Sequence, residues 1–313
     1  MLTCRDHFGH PESWYSPIQC SERVCFDIAM DQWDYTNTMP FPNPCEQGPN
    51  CDYELYYHEE VVNTGTLSRL NLTHFSGFVF GCGHGQQRIF GYGVDGVLGL
   101  GSGKLSFMSQ TNHTRFSYCL PSNSSSTGYL TFDKNNTHDN NGELLLLFTP
   151  FTTQSPRGSH YIIDIVAITV GETRLQIDYQ SDIIGTVVET TSLITQLPQV
   201  AYNKMRDEFK LQMGTNYPAA GAFSTLDTCY DTNNRSSITV PPVSFTFGNN
   251  VKVDLDVSGI LLVVNSTLSC FAFASTSDVT AGFAIFGSVQ QRTLEMVFDV
   301  ENKMIGFGHN GCA

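Results

Sequence analysis

Ten cysteines are the residues of this chain whose chemistry is most constrained by type and spacing: Cys4, Cys20, Cys25, Cys45, Cys51, Cys82, Cys119, Cys229, Cys270 and Cys312. No Cys-x-x-Cys pair occurs and no Cys/His spacing matches a zinc site. An even, scattered set of this kind reads as disulfides formed in an oxidising compartment. Cys20 with Cys25, and Cys45 with Cys51, are close enough to close small loops, but their spacing assigns no partners. Six Asn-x-Ser/Thr tripeptides begin at Asn71, Asn112, Asn123, Asn135, Asn234 and Asn265. Each is an acceptor for an N-linked glycan in a secreted chain. The nine histidines are scattered, with no His-Glu-x-x-His, and no Gly-x-Ser-x-Gly is present. Neither a metal hydrolase nor a serine nucleophile has its motif here, and no cofactor is expected.

The elements that position such residues read as mainly β. A length of 313 residues suggests about two domains. Hydrophobic residues make up 41%, enough for a large core, and only 15% of residues are charged. Sixteen basic residues against thirty acidic ones give a net charge of −14 with no basic cluster. That balance is a poor match for nucleic acid or an anionic membrane. The longest apolar runs, Leu144 to Phe148 and Ile260 to Val264, fall far short of the ~20 residues of a membrane helix. The start, Met1-Leu-Thr-Cys-Arg-Asp-His-Phe8, has no basic segment followed by an apolar one, as a secretory signal would.

Short runs rich in Val, Ile, Phe, Tyr and Thr recur at Phe75 to Cys82, His160 to Val170, Val243 to Phe247, Val251 to Val264, Ser269 to Ala274 and Leu294 to Val300. One helix is predicted, Pro198 to Met213, where Ala201, Met205, Phe209 and Met213 recur every four residues. Asn135 to Gly142 is a polar loop and Thr153 to Ser159 a linker. They predict two domains, 1–155 and 156–313. The strings Gly96-Val-Leu-Gly-Leu-Gly101 and Ala284-Ile-Phe-Gly287 set apolar residues directly before a glycine once in each half.

Segments spread over almost the whole chain, in order, resemble the nepenthesin-like branch of the plant pepsin-type aspartic proteases. They are Cys51-Asp-Tyr-Glu-Leu-Tyr-Tyr57, Phe80-Gly-Cys-Gly83, Gly93 to Gly101, Arg115-Phe-Ser-Tyr-Cys-Leu-Pro121 and Thr127-Gly-Tyr-Leu-Thr-Phe132. In the second half they are Leu226-Asp-Thr-Cys-Tyr-Asp231, Val253 to Ile260, Ala284-Ile-Phe-Gly-Ser-Val-Gln-Gln291 and Phe298-Asp-Val through Gly306-Phe-Gly308. The resemblance implies a bilobal, mainly β fold with a peptide or protein in the inter-lobe cleft. It also implies a monomer in an extracellular or vacuolar compartment, and a Cys229–Cys270 bridge. Each lobe of the family supplies one aspartate in an Asp-Thr/Ser-Gly turn. Two adjacent carboxylates share one proton, so one acts as base on water and the other as acid.

This chain departs from that pattern at three places. Asp-Thr-Gly and Asp-Ser-Gly occur nowhere in it. The match starts around Phe8-Gly-His-Pro11, so the N-terminal lobe is expected to lack the segment of the first catalytic aspartate. At the second turn, Gly185-Thr-Val-Val-Glu-Thr-Thr-Ser192, the family's Asp-Ser-Gly-Thr becomes Glu189-Thr190-Thr191-Ser192. Glu189 is thus the degenerate second acid, with Thr190 and Thr191 beside it in the substrate-binding turn. Tyr57 falls on the flap-tyrosine position, where the following Gly-Asp-Gly-Ser becomes His58-Glu59-Glu60-Val61. The expected protein is an aspartic endopeptidase homologue without catalysis. Its alternatives are a secreted binding protein resembling glycosidase inhibitors and a truncated form of an active enzyme.

Overall fold

The computed structural model describes residues 15–25, 27, 43–46, 48–57, 60–71, 76–86, 96–123, 125–133, 146–152, 159–178, 182–233, 237–276, 282–309 and 311–312. The predicted loop at Asn135 to Gly142 and most of the linker at Thr153 to Ser159 lie outside them. The chain forms two compact units, residues 1–113 with 156–160, and residues 114–155 with 161–313.

In the first unit, β1 (Tyr15–Pro17), β2 (Asp52–Tyr57), β3 (Glu60–Asn71) and β4 (Ser76–Gln86) form one antiparallel sheet. The twelve-residue β3 pairs with β4 along its length and with β2 and β1 in succession. A short helix, α1 (Phe107–Thr111), starts at Ser106, whose hydroxyl accepts from the Ser109 amide. Gln110 docks it on β4, accepting from Val79 N at 2.7 Å and donating to Val79 O at 2.9 Å. The core here is Ile18, Cys25, Cys51, Tyr53 and Val79. Tyr53 lies against Gly81, where an added Cβ would stand 2.6 Å from the ring, so only glycine allows that packing. Burial pushes the Tyr53 hydroxyl well above the usual tyrosine range.

The cysteines near this core pair across the two small loops and not within them: Cys20 bonds Cys45, and Cys25 bonds Cys51. The reason is register. Cys20 N donates to Pro49 O and Cys51 N to Ile18 O, so residues 18–20 and 49–51 run side by side and bring the two loops together.

Among the described residues, the second unit holds four sheets. The first has the order β6-β5-β21-β22-β7, from β5 (Arg115–Cys119), β6 (Tyr129–Phe132), β7 (Leu147–Pro150), β21 (Glu295–Asp299) and β22 (Met304–Gly308). This pairing draws residues 114–152 to the second unit, whereas the sequence boundary near 155 follows the linker. Cys119 and Cys312 are bonded across this sheet. The second sheet, β10-β9-β15-β16, comes from β9 (Ile165–Val170), β10 (Thr173–Gln176), β15 (Val243–Phe247) and β16 (Val251–Asp254). The third, β19-β12-β20-β11-β8, comes from β8 (Tyr161–Ile163), β11 (Gly185–Val188), β12 (Thr195–Leu197), β19 (Phe273–Ser275) and β20 (Phe283–Phe286). The fourth, β13-β14-β18-β17, comes from β13 (Ala219–Ala220), β14 (Cys229–Asp231), β17 (Leu261–Asn265) and β18 (Leu268–Phe271). Cys229 and Cys270 face each other in its register and are bonded.

The helix α2 runs Gln199–Met213, with Pro198 just before its first turn. It buries Ala201, Tyr202, Met205, Phe209 and Met213. From Phe209 a line of rings continues through Phe271 at 4.1 Å and Phe273 at 4.7 Å to Phe245 at 6.0 Å and Phe286. Phe247 extends it to Phe307, stacked at 4.9 Å. These contacts join all four of these sheets and α2 in one core, each pair adding about 0.5–1.5 kcal/mol beyond its burial. The predicted run Val251 to Val264 is broken in two by a short helix, α3 (Val257–Ile260). Asp256 caps it, accepting from Ser258 N at 2.9 Å and Ser258 Oγ at 2.6 Å. No helix among the described residues is long and apolar enough to cross a membrane.

Candidate functional site

Glu189 leaves the C-terminal end of β11, whose four residues are all buried. β20 runs parallel to β11 on one side and antiparallel to β12 on the other, so the chain crosses over β20 through the turn 189–194. A second turn, 287–291, follows β20 and meets it. Ser288 N donates to Ser192 O and Val289 N to Leu193 O, both at 2.9 Å. An added Cβ on Gly287 would lie 2.4 Å from the Ile194 carbonyl carbon, so glycine is what permits the approach.

Within the first turn, the Ser192 hydroxyl donates to the Glu189 carboxylate. Ser192 is 1% exposed, Glu189 is half-buried, and Thr190, Thr191 and Leu193 are exposed. The site therefore presents one oriented carboxylate on an exposed turn of hydroxyl and apolar side chains. It can accept hydrogen bonds from a polypeptide amide. Shared-proton chemistry needs a second carboxylate against the first.

Two glutamines, Gln290 and Gln291, hold these turns. Gln291 Nε2 donates to the carbonyls of Glu189 at 2.8 Å and Phe286 at 2.7 Å, while its Oε1 accepts from the Tyr118 hydroxyl. Burial drives that hydroxyl far above its ordinary pKa. Gln290 Nε2 donates to Gly259 O at 2.7 Å and Ala272 O at 2.8 Å, and its Oε1 accepts from Thr195 N at 2.7 Å. Both amides are buried and satisfied, so they fix the backbone from which Glu189 projects. In sequence they are two adjacent glutamines two residues beyond the buried string Ala284-Ile-Phe-Gly287, and nothing beside them marks their distant partners.

Tyr57 is the last residue of β2, paired with Glu60 of β3, and belongs to the first unit, whereas Glu189 belongs to the second. His58 and Glu59 lie outside the described residues. Of the glycan acceptors, Asn112, Asn123 and Asn265 are exposed, Asn71 ends β3, and Asn135 and Asn234 lie outside the described residues. Asn123 and Asn265 each accept at Oδ1 from the amide and hydroxyl two residues on, in Ser125 and Thr267. The three sulfur atoms of Cys20, Cys25 and Cys45 are grouped, but the disulfides account for them and they are not a metal centre.

Comparison with known proteins bears on the family and the fold. Family models described as xylanase inhibitor N-terminal and xylanase inhibitor C-terminal match residues 3–133 and 160–309. An aspartyl protease family protein of Arabidopsis thaliana is 40% identical over 310 residues, 96% of this chain and 62% of that protein. The chain belongs to the plant family of pepsin-like aspartic proteases. Nepenthesin-1 of Nepenthes gracilis, another member of the pepsin-like family, is 27% identical over 96% of this chain and 67% of its own length. The chain spans about three fifths of the length of the Arabidopsis relative. Among solved structures, lupine conglutin gamma has a TM-score of 0.74 at 21% identity, over 99% of this chain and 85% of its own. Soybean basic 7S globulin has a TM-score of 0.71 at 17% identity, over 98% and 83%. At those identities the likeness concerns the pepsin-like fold alone.

Proposed function

We propose that this chain is a polypeptide-binding member of the pepsin-like family that does not cleave what it binds. The observation that carries the reading is the turn itself. Its acid is Glu189, held by Ser192, and Thr191 stands where the family's turn has glycine. The extra methylene moves the carboxyl by about 1 Å, a displacement that alone can cost on the order of 10²-fold in rate. A peptide or protein segment meets the exposed Thr190, Thr191 and Leu193, and the binding form is a monomer. Disulfides and exposed sequons support a secreted or vacuolar glycoprotein. The xylanase-inhibitor name of the matching family models supports secreted glycosidases as the first partners to try.

The test is hydrolysis of a denatured protein substrate between pH 3 and 6 by the purified chain and its Glu189→Gln variant. No turnover is expected from either. Turnover by the parent that disappears in Glu189→Gln overturns the reading. A second reading, that the protein is an endopeptidase, is favoured by the 40% identity to a relative named an aspartyl protease, and the same assay decides it.

A further inference from the structure

Two disulfides stand side by side at the foot of the β2–β3 hairpin. Cys20–Cys45 is the outer one, with both residues partly exposed; Cys25–Cys51 is the inner one, with both residues fully buried. The Cys25 and Cys45 sulfurs belong to different bonds yet lie 3.7 Å apart. The sulfurs of Cys20, Cys25 and Cys45 all fall within 4.8 Å of one another.

We propose that this pair is a thiol-exchange site, in which a dithiol reductant acting on the outer bond shifts the inner one. The dithiol gives two electrons and two protons to Cys20–Cys45 and leaves as its own cyclic disulfide. Cys45, as thiolate, then attacks the Cys25 sulfur, so a Cys25–Cys45 bond forms and the Cys25–Cys51 bond breaks. The Cys51 sulfur leaves with the electron pair and takes up the proton that Cys45 gave up. One disulfide remains, with thiols at Cys20 and Cys51.

Three observations set the direction. The outer bond is the one a soluble reductant can reach, and exchange depends on access and on thiolate character. The Cys20 sulfur sits 3.2 Å from Asn50 O and 3.5 Å from Gly48 O. Those carbonyls accept from a Cys20 thiol and disfavour a thiolate there, so the nucleophile is Cys45. The leaving residue, Cys51, donates its amide to Ile18 O at 2.8 Å and directly precedes β2, which carries Tyr57 at its far end. Exchange therefore unties the root of that hairpin.

The experiment is disulfide mapping after brief treatment with substoichiometric dithiothreitol, acid quench and alkylation. Peptides joining Cys25 to Cys45, with Cys20 and Cys51 alkylated, are the expected result. Alkylation of Cys20 and Cys45 with Cys25–Cys51 intact overturns the proposal, as does first opening of the inner bond. Two variants separate relay from simple reduction. Cys20→Ser frees Cys45 and is expected to carry the Cys25–Cys45 bond and a free Cys51 without any reductant. Cys45→Ser is expected to keep Cys25–Cys51 under the same dithiothreitol treatment. Equal Cys51 alkylation in the two variants sinks the relay.

Discussion

In the first unit, the bonded cysteines Cys25 and Cys51 are part of the core cluster among the described residues, and Cys20 and Cys45 pack against it. In the second unit the centre is a line of phenylalanines from α2 to β22, and the disulfides Cys229–Cys270 and Cys119–Cys312 clip its sheets. The two units solve the same problem by different means. Cross-links limit the freedom of the unfolded chain, whereas ring burial stabilises the folded one. The first solution depends on redox conditions and the second on packing.

The sharpest way to break that contrast is to cut a ring from the second core. Phe245→Ala or Phe286→Ala is expected to cost about 3–5 kcal/mol in denaturant unfolding of the second unit, because Phe245 touches three other rings and Phe286 two in a filled interior. Next in size is reduction. Opening Cys20–Cys45 and Cys25–Cys51 is expected to cost the first unit about 2–4 kcal/mol per bridge. Limited proteolysis should then cut between residues 15 and 86 while the second unit persists. Cleavage of the second unit first would reverse the comparison.

A smaller effect sharpens the role of polar clamps inside the apolar unit. Gln291→Leu takes the side-chain donor from the carbonyls of Glu189 and Phe286, the latter keeping only the long bond from the Glu189 amide at 3.4 Å among the described residues, at a cost of about 1–3 kcal/mol. Unchanged stability in that variant would make the glutamine incidental. The smallest effect is electrostatic. Burial alone would raise the Asp299 pKa, but hydrogen bonds from Asn302 and the Arg115 guanidinium outweigh it and hold the carboxyl below its usual value. A depressed carboxylate contributes stability above its unfolded pKa of about 3.9 and loses it as pH falls through the lower folded value. Arg115→Ala should flatten that acid-side dependence by about 1 kcal/mol in pH-dependent unfolding.

Periodicity made the strongly patterned elements legible. Met205, Phe209 and Met213 placed α2 to within a residue, and Val243 to Phe247 is β15 as read. It failed where a local hydrogen bond overrides hydrophobicity. Asp256 does this, turning an apolar run into α3; Asp164, whose carbonyl accepts from the distant Gly248 amide at 3.0 Å, divides β8 from β9 in a run that looked continuous. Glu189 came only from the resemblance, since one glutamate after two valines has no signature of its own. The glutamine clamps stayed hidden because their partners, Tyr118, Thr195 and Gly259, are distant in sequence. Cysteine pairing in the first unit was hidden for the same reason: the register of residues 18–20 against 49–51 decides it.

The bond between Cys119 and Cys312 has a mechanical consequence. The two residues are 193 positions apart, so nearly all of the second unit lies inside a covalent ring. A force applied at residues 1 and 313 passes through the sulfur bridge and bypasses that ring. About 65 nm of contour is thereby withheld from extension. In an optical trap the oxidised protein should lengthen only through the part of its first 119 residues that lies outside the loops closed by Cys20–Cys45 and Cys25–Cys51, and the missing contour should be released when the Cys119–Cys312 bridge is reduced under load.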